Sequence, residues 1–177
     1  MAYWFQRAWI DNQWQRDVRL TVAEGRFSAL ETGVDAAPDD ERHAAALPGL
    51  CNVHSHGFQR GMAGLSERRS HPDDNFWSWR EIMYRFLDQL TPDDVAAITA
   101  QAYAEMLEGG FTRVGEFHYL HHDPAGAPYA DPAAMAGAIV EASAATGIGL
   151  TLLPVFYAHG NFGGAALSTG HRQPIAS

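Results

Sequence analysis

Lysine is absent from all 177 residues; each of the 12 basic side chains is an arginine. That excludes a lysine Schiff base and a carboxylated-lysine metal bridge. Cysteine occurs once, as Cys51, so no internal disulfide can form, which fits a reducing compartment. Cys51 lies in an apolar run and reads as a small core residue rather than a nucleophile. No apolar run approaches the ~20 residues of a membrane span. Nor does the N-terminus carry a charged region followed by an apolar one, as a signal peptide would. Basic charge is scarce too: 21 acidic residues leave a net charge of −9, which argues against a nucleic-acid or anionic-membrane surface. There is no internal repeat and no low-complexity tract. The reading is a soluble cytoplasmic protein with no nucleic-acid or membrane partner. Its 46% hydrophobic content suffices for one domain, or for a domain with a small appendage.

Residues 3–30 read as β-hairpins: apolar and polar positions alternate, with turns at Asp11-Asn12 and Glu24-Gly25. Residues 32–46 read as a loop joining two modules, 1–47 and 48–177. The second module opens on Pro48-Gly49 and runs to His54-Ser55-His56. On a strand, residues two apart share a face, so His54 and His56 present two imidazoles side by side while Ser55 turns away. Such a pair suits two metal ligands on a stiff element, although two histidines also fall close together without any such role. Phe76, Trp79, Met83 and Phe86 form a helical apolar stripe that reads as core. Thr91-Pro92-Asp93-Asp94 caps a helix that ends at Gly109-Gly110. Phe111 to Tyr119 reads as a strand, Asp131-Pro132 to Gly147 as a helix started the same way, and Ile148 to Tyr157 as a strand buried on both faces. The segment from His159 to Ser177 has no periodic pattern.

Strands alternating with helices imply βαβ units and a parallel sheet, an α/β class. Functional residues then gather at the C-terminal strand ends. Three clusters qualify: His54, His56 and Gln59; Glu116, His118, Tyr119, His121 and His122; Tyr157, His159 and Asn161. Glu116 and His118 share a face and are candidates to line the pocket, with Glu116 also open to orienting a ligand histidine. His121 and His122 are equally readable as loop residues without a role. His43, His71 and His171 read as surface residues, and Arg80 is equally readable as a solvated helix arginine.

The pattern Pro-Gly-x-x-x-x-His-x-His at 48–56 resembles the first-strand signature of the amidohydrolase superfamily, metal-dependent hydrolases on a (β/α)8 barrel. The longer blocks Phe-Trp-x-Trp-Arg at 76–80 and Glu-Phe-His-Tyr-Leu-His-His at 116–122, with NVHSHGFQRGMAGL and GIGLTLLPVFYAHGNFGG, resemble the formimidoylglutamate deiminases within it. The resemblance implies one Zn2+ per active site, with His54 and His56 as its first two ligands. It also implies a substrate site at Gln59, Arg80 and Tyr119 for the carboxylates and formimino end of N-formimino-L-glutamate. The implied reaction is hydrolysis to N-formyl-L-glutamate and ammonia in histidine degradation. Zinc brings the pKa of a bound water to about 7, and a forked arginine suits a substrate with two carboxylates. Other superfamily reactions (deamination of a purine, a pyrimidine or another amidine) and a short non-catalytic metal- or partner-binding protein are the alternatives.

A whole barrel takes roughly 250 residues, about twice the length remaining after residue 47. The expectation is therefore a partial barrel of about three strands, preceded by a hairpin module from a composite β-sandwich that a C-terminal segment completes. Further ligands and the catalytic acid/base residues are expected beyond residue 177. The chain alone is expected to be inactive and to aggregate or stay loosely packed, because strand edges and apolar faces are left uncovered. A homodimer of the full-length enzyme is compatible with the resemblance.

Overall fold

A computed structural model describes residues 1–65 and 71–155, Trp77 in its backbone only. The chain divides into two compact units, the first Met1–Gly49 and the second beginning at Leu50.

The first unit is a four-stranded sheet of β1 (Ala2–Ile10), β2 (Gln13–Ala23), β3 (Arg26–Glu31) and β4 (Glu41–Ala46), in the order β3-β2-β1-β4. Two-residue turns join the first three strands. Asp11 and Asn12 (φ 50° and 61°), and Glu24 and Gly25 (φ 51° and 71°), take the left-handed conformations that fit the twist of a hairpin. Trp9 and Trp14 face each other across β1 and β2, ring centroids 5.5 Å apart at 77°. β4 corrects the reading of 32–46 as a loop. Its Glu41-Arg42-His43-Ala44-Ala45-Ala46 sequence has neither alternation nor β-branched residues, and it is a strand because it pairs in parallel with the open edge of β1. Asp40, just before it, is ion-paired with Arg19, whose Nε–H both carboxylate oxygens share at 3.0 and 2.9 Å.

The second unit carries the α/β pattern that the sequence implies. β5 (Leu50–Ser55), β6 (Phe111–His118) and β7 (Gly149–Pro154) form a parallel sheet in that order. A 3₁₀ helix (Gly57–Met62), α1 (Phe76–Leu87) and α2 (Pro92–Glu108) separate β5 from β6, and α3 (Ala134–Thr146) separates β6 from β7. α2 starts on a reciprocal cap: Thr91 Oγ1 accepts the Asp94 N–H at 3.3 Å while Asp94 Oδ2 accepts the Thr91 N–H at 2.9 Å. Gly110 at φ 87° turns the chain into β6. α3 begins later than Asp131-Pro132 implied. Asp131 Oδ1 spends itself on the Ala133 N–H at 2.8 Å, a local turn, and Ala133 is left as a cap without a side-chain bond. The core of this unit joins the sheet to its helices through Phe58, Met83, Tyr103, Val114, Met135 and Ile139.

Three burial expectations change. Cys51 is exposed, not core: β5 is an edge strand among the described residues, and Val53 two positions on is 83% exposed. β7 is not buried on both faces: it too is an edge among the described residues, and Leu153 is 44% exposed. Phe76 is 61% exposed and stacks on Trp79 at 5.7 Å instead of entering the core. Among the described residues, no helix is long and apolar enough to cross a membrane.

Candidate metal and substrate site

His54 and His56 come together through an irregularity in β5. Asn52 pairs with Val114 and Ser55 with Glu116, so Val53 and His54 together oppose the single residue Gly115. Gly115 fits this bulge because a Cβ there would lie 3.0 Å from the Val53 carbonyl oxygen. The amide that the bulge removes from the ladder is satisfied locally, since His54 N–H donates to Asn52 Oδ1 at 3.2 Å. Asn52 and Ser55 both turn toward the helices: Asn52 Nδ2 meets Met106 of α2 at 3.6 Å, and Ser55 is buried. The two imidazoles emerge on the opposite face, where Phe117 stacks on His54 with centroids 5.7 Å apart at 29°.

The imidazole Nε2 atoms lie 3.1 Å apart. Half that separation is shorter than a Zn–N bond of about 2.0–2.1 Å, so one ion can reach both nitrogens. His56 Nδ1 is 2.7 Å from the Phe117 carbonyl oxygen. A carbonyl can only accept, so Nδ1 carries the proton and the Nε2 lone pair is left for a metal. The pKa of His56 is lowered, chiefly by burial; the Phe117 carbonyl pulls the other way, and neighbouring His54 adds a smaller lowering effect. Both lowering effects favour the neutral ring that a ligand requires. The donor set therefore fits the zinc implied by the resemblance. Among the described residues, no group of three or more His, Cys, Asp or Glu side chains converges on a point.

Gln59, on the 3₁₀ helix, and Tyr119, at the exit of β6, are brought to this pair. Gln59 Nε2 donates to Tyr119 Oη at 3.3 Å, and the Tyr119 ring stands 5.1 Å from that of His56. Met83 of α1 closes the group, its sulfur 3.6 Å from Tyr119 Oη and 3.7 Å from Gln59 Nε2. Arg80 sits three residues before Met83, one turn earlier on the same side of α1. Its Nε donates to Tyr84 Oη at 2.6 Å, with the guanidinium 5.1 Å from that ring's centroid. It is thus held on its helix by Tyr84. Phe117, Met83 and Asn52 belong to the site and escaped sequence reasoning; an asparagine inside an apolar strand was the one signal available.

Glu116 and His118 do share a face, but they do not line the pocket beside the histidine pair. Both are fully buried, alternate with Phe117 and lie on the helix side, where Tyr103 of α2 donates to Glu116 Oε2 at 3.2 Å. A self-contained site of His54, His56 and His118 is thereby excluded. Burial, and then His121, push the His118 pKa down to about 4. Among the described residues neither of its ring nitrogens has a hydrogen-bond partner. His121 Nε2 is tied to the Val155 carbonyl at 3.0 Å, and His122 bridges to Pro128. His43 lies 3.0 Å from Glu41 and His71 3.3 Å from Asp73, both on the surface. Tyr157, His159, Asn161 and His171 lie outside the described residues.

Residues 4–44 match the family profile "Formimidoylglutamate deiminase HutF, N-terminal domain", and residues 45–164 match that of the amidohydrolase family. Formimidoylglutamate deiminase of Pseudomonas aeruginosa is 46% identical over 175 residues, 98% of this chain and 39% of that protein. 8-Oxoguanine deaminase of the same species is 33% identical over 109 residues, 57% of this chain and 23% of that protein. Among solved structures, an amidohydrolase from Brucella melitensis superposes with a TM-score of 0.93 at 52% identity, over 99% of this chain and 39% of that one. The atrazine chlorohydrolase TrzN from Arthrobacter aurescens TC1, complexed with zinc, shares the fold with a TM-score of 0.61 at 20% identity, over 86% of this chain and 35% of its own. The chain thus spans about two fifths of the deiminase that it matches along almost its whole length. With a strand-end histidine pair on a parallel α/β sheet and a profile match from residue 45 to 164, the chain belongs to the amidohydrolase family.

Proposed function

We propose that these residues are the N-terminal part of a zinc-dependent hydrolase that converts N-formimino-L-glutamate and water to N-formyl-L-glutamate and ammonia. Residues 1–47 are part of a small β-sandwich and residues 48–177 the first part of the barrel. The observation that carries the reading is the likeness to formimidoylglutamate deiminase along 98% of the chain. The paired imidazoles indicate the chemistry.

His54 and His56 would hold the zinc, which supplies a Lewis acid able to acidify water at neutral pH. Phe117 keeps both rings in place, by stacking on His54 and by accepting from His56 Nδ1. Gln59 and Tyr119 offer donors beside the pair, and Arg80, one turn along α1 from Met83, offers a two-pronged grip for a carboxylate. In the overall reaction water adds at the formimino carbon, the C–N bond to the terminal nitrogen breaks, and that nitrogen leaves as ammonia.

The test is ammonia release from N-formimino-L-glutamate by the zinc-loaded protein expressed with its full reading frame. Turnover is expected, and Arg80→Met should raise KM about tenfold or more through loss of a charge-assisted contact. No turnover overturns the reading. A ring aminohydrolase is the second reading, favoured by the 33% match to 8-oxoguanine deaminase; it requires ammonia from 8-oxoguanine instead.

A further inference from the structure

Glu116 is a carboxyl group on the buried face of a parallel strand, where an aliphatic residue is the ordinary occupant. Its bonds go to the neighbourhood of the histidine pair. The Gly57 N–H donates to Glu116 Oε1 at 2.6 Å, and the Tyr103 hydroxyl donates to Oε2 at 3.2 Å. Ser55 is its register partner on β5. Gly57 immediately follows His56 and is confined on its other side, since a Cβ there would come within 2.7 Å of Thr99 Cγ2 on α2. Two consecutive residues of β6 thus grip the two consecutive residues that follow β5. Glu116 takes the Gly57 amide with its side chain, and Phe117 takes the His56 ring with its carbonyl.

We infer that Glu116 is a positioning residue: by holding the Gly57 amide it fixes the chain as it leaves β5, and so aims the His56 ring at the point it shares with His54. Without that bond the Gly57 N–H is buried and unpaired, the turn into the 3₁₀ helix relaxes, and the two Nε2 atoms lose their common target. The inference rests on the reading of His54 and His56 as metal ligands.

The test uses the protein expressed with its full reading frame, with zinc affinity read by competition with a chromogenic chelator. Glu116→Leu should weaken zinc binding about 10–100-fold. Glu116→Gln keeps an oxygen for Gly57 and should stay within about threefold of the wild type. Val114→Ala opens a cavity on the same face of β6 without touching Gly57; it should lower the melting temperature and leave zinc affinity within about twofold. Wild-type affinity in folded Glu116→Leu overturns the inference, as does an equal loss in Val114→Ala, which would make the effect one of general stability. If Glu116→Leu does not fold, Glu116→Asp, a methylene too short for Gly57, takes its place with the same outcomes. A second readout needs no metal: imidazole 1H–15N spectra of the zinc-free protein should show His56 in the Nδ1–H form, and averaged tautomers once Glu116 is removed. If the wild type binds no zinc, the ligand reading falls, and this spectrum alone decides; an unchanged His56 in Glu116→Leu overturns the positioning role.

Discussion

Acid should unlock β6 at His118. This ring is fully buried, and its pKa is pushed down to about 4 from an ordinary value of 6.5. As pH falls through 6.5 the unfolded chain takes up the proton first, while the folded chain resists it until about 4. Stability from this residue is therefore complete above about pH 6.5 and lost progressively toward pH 4. At 1.36 kcal/mol per unit the loss is roughly 3 kcal/mol, a large share of an ordinary domain's margin. Glu116 works in the opposite sense. Burial raises its pKa above 4.5, so its folded form holds a proton longer and its contribution grows as pH falls. A difference experiment separates the two: urea midpoints of the wild type and of His118→Phe, measured at intervals from pH 7 to pH 4. From pH 7 to pH 4 the wild type should lose roughly 3 kcal/mol relative to His118→Phe, and an NMR titration should place the His118 ring well below 6.5. Parallel curves, or a ring that titrates near 6.5, would refute the reasoning.

Thr91→Ala should cost about 1 kcal/mol, seen as a lower urea midpoint, because it removes the Thr91 half of the α2 cap. Gly61→Ala would place a Cβ 2.6 Å from Phe86 Cζ and 2.9 Å from Ile98 Cδ1; forcing the 3₁₀ helix off α1 and α2 should cost about 1–3 kcal/mol and lower the melting temperature accordingly. Both variants are best compared in the protein with its full reading frame. Expressed as these 177 residues alone, the chain should aggregate, since Val53, Leu50 and Cys51 on β5 and Phe27 on β3 are exposed. A sharp, cooperative melt of soluble monomer would contradict that.

Local punctuation was the most legible part of the sequence. Thr91-Pro92-Asp93-Asp94, Gly109-Gly110 and Gly147 mark helix ends by chemistry that acts within a few residues, and the structure uses each of them. Features that depend on distant partners were not legible. β4 is a strand because β1 has an open edge, not because Glu41–Ala46 favours extension. Cys51 and Leu153 look like core residues in a string, yet whether a strand is central or peripheral is decided by its neighbours. The period of two correctly paired His54 with His56 and Glu116 with His118. It could not tell that the two pairs lie on opposite faces of the sheet. The strand-end rule put Gln59 and Tyr119, 60 residues apart, in neighbouring clusters, but their hydrogen bond to each other was not legible.

The bulge opposite Gly115 makes the site depend on counting as much as on chemistry. Asn52 faces the helices, and strict alternation from it would carry His54 to the helices as well. One extra residue resets the phase. Removing Val53 would leave both histidines, their neighbours and the overall charge unchanged, yet rotate the first imidazole into the packed layer. The demand on β5 is therefore split: which side chain stands at position 53 matters less than that a residue stands there, because the length of the strand sets the phase of His54 and His56.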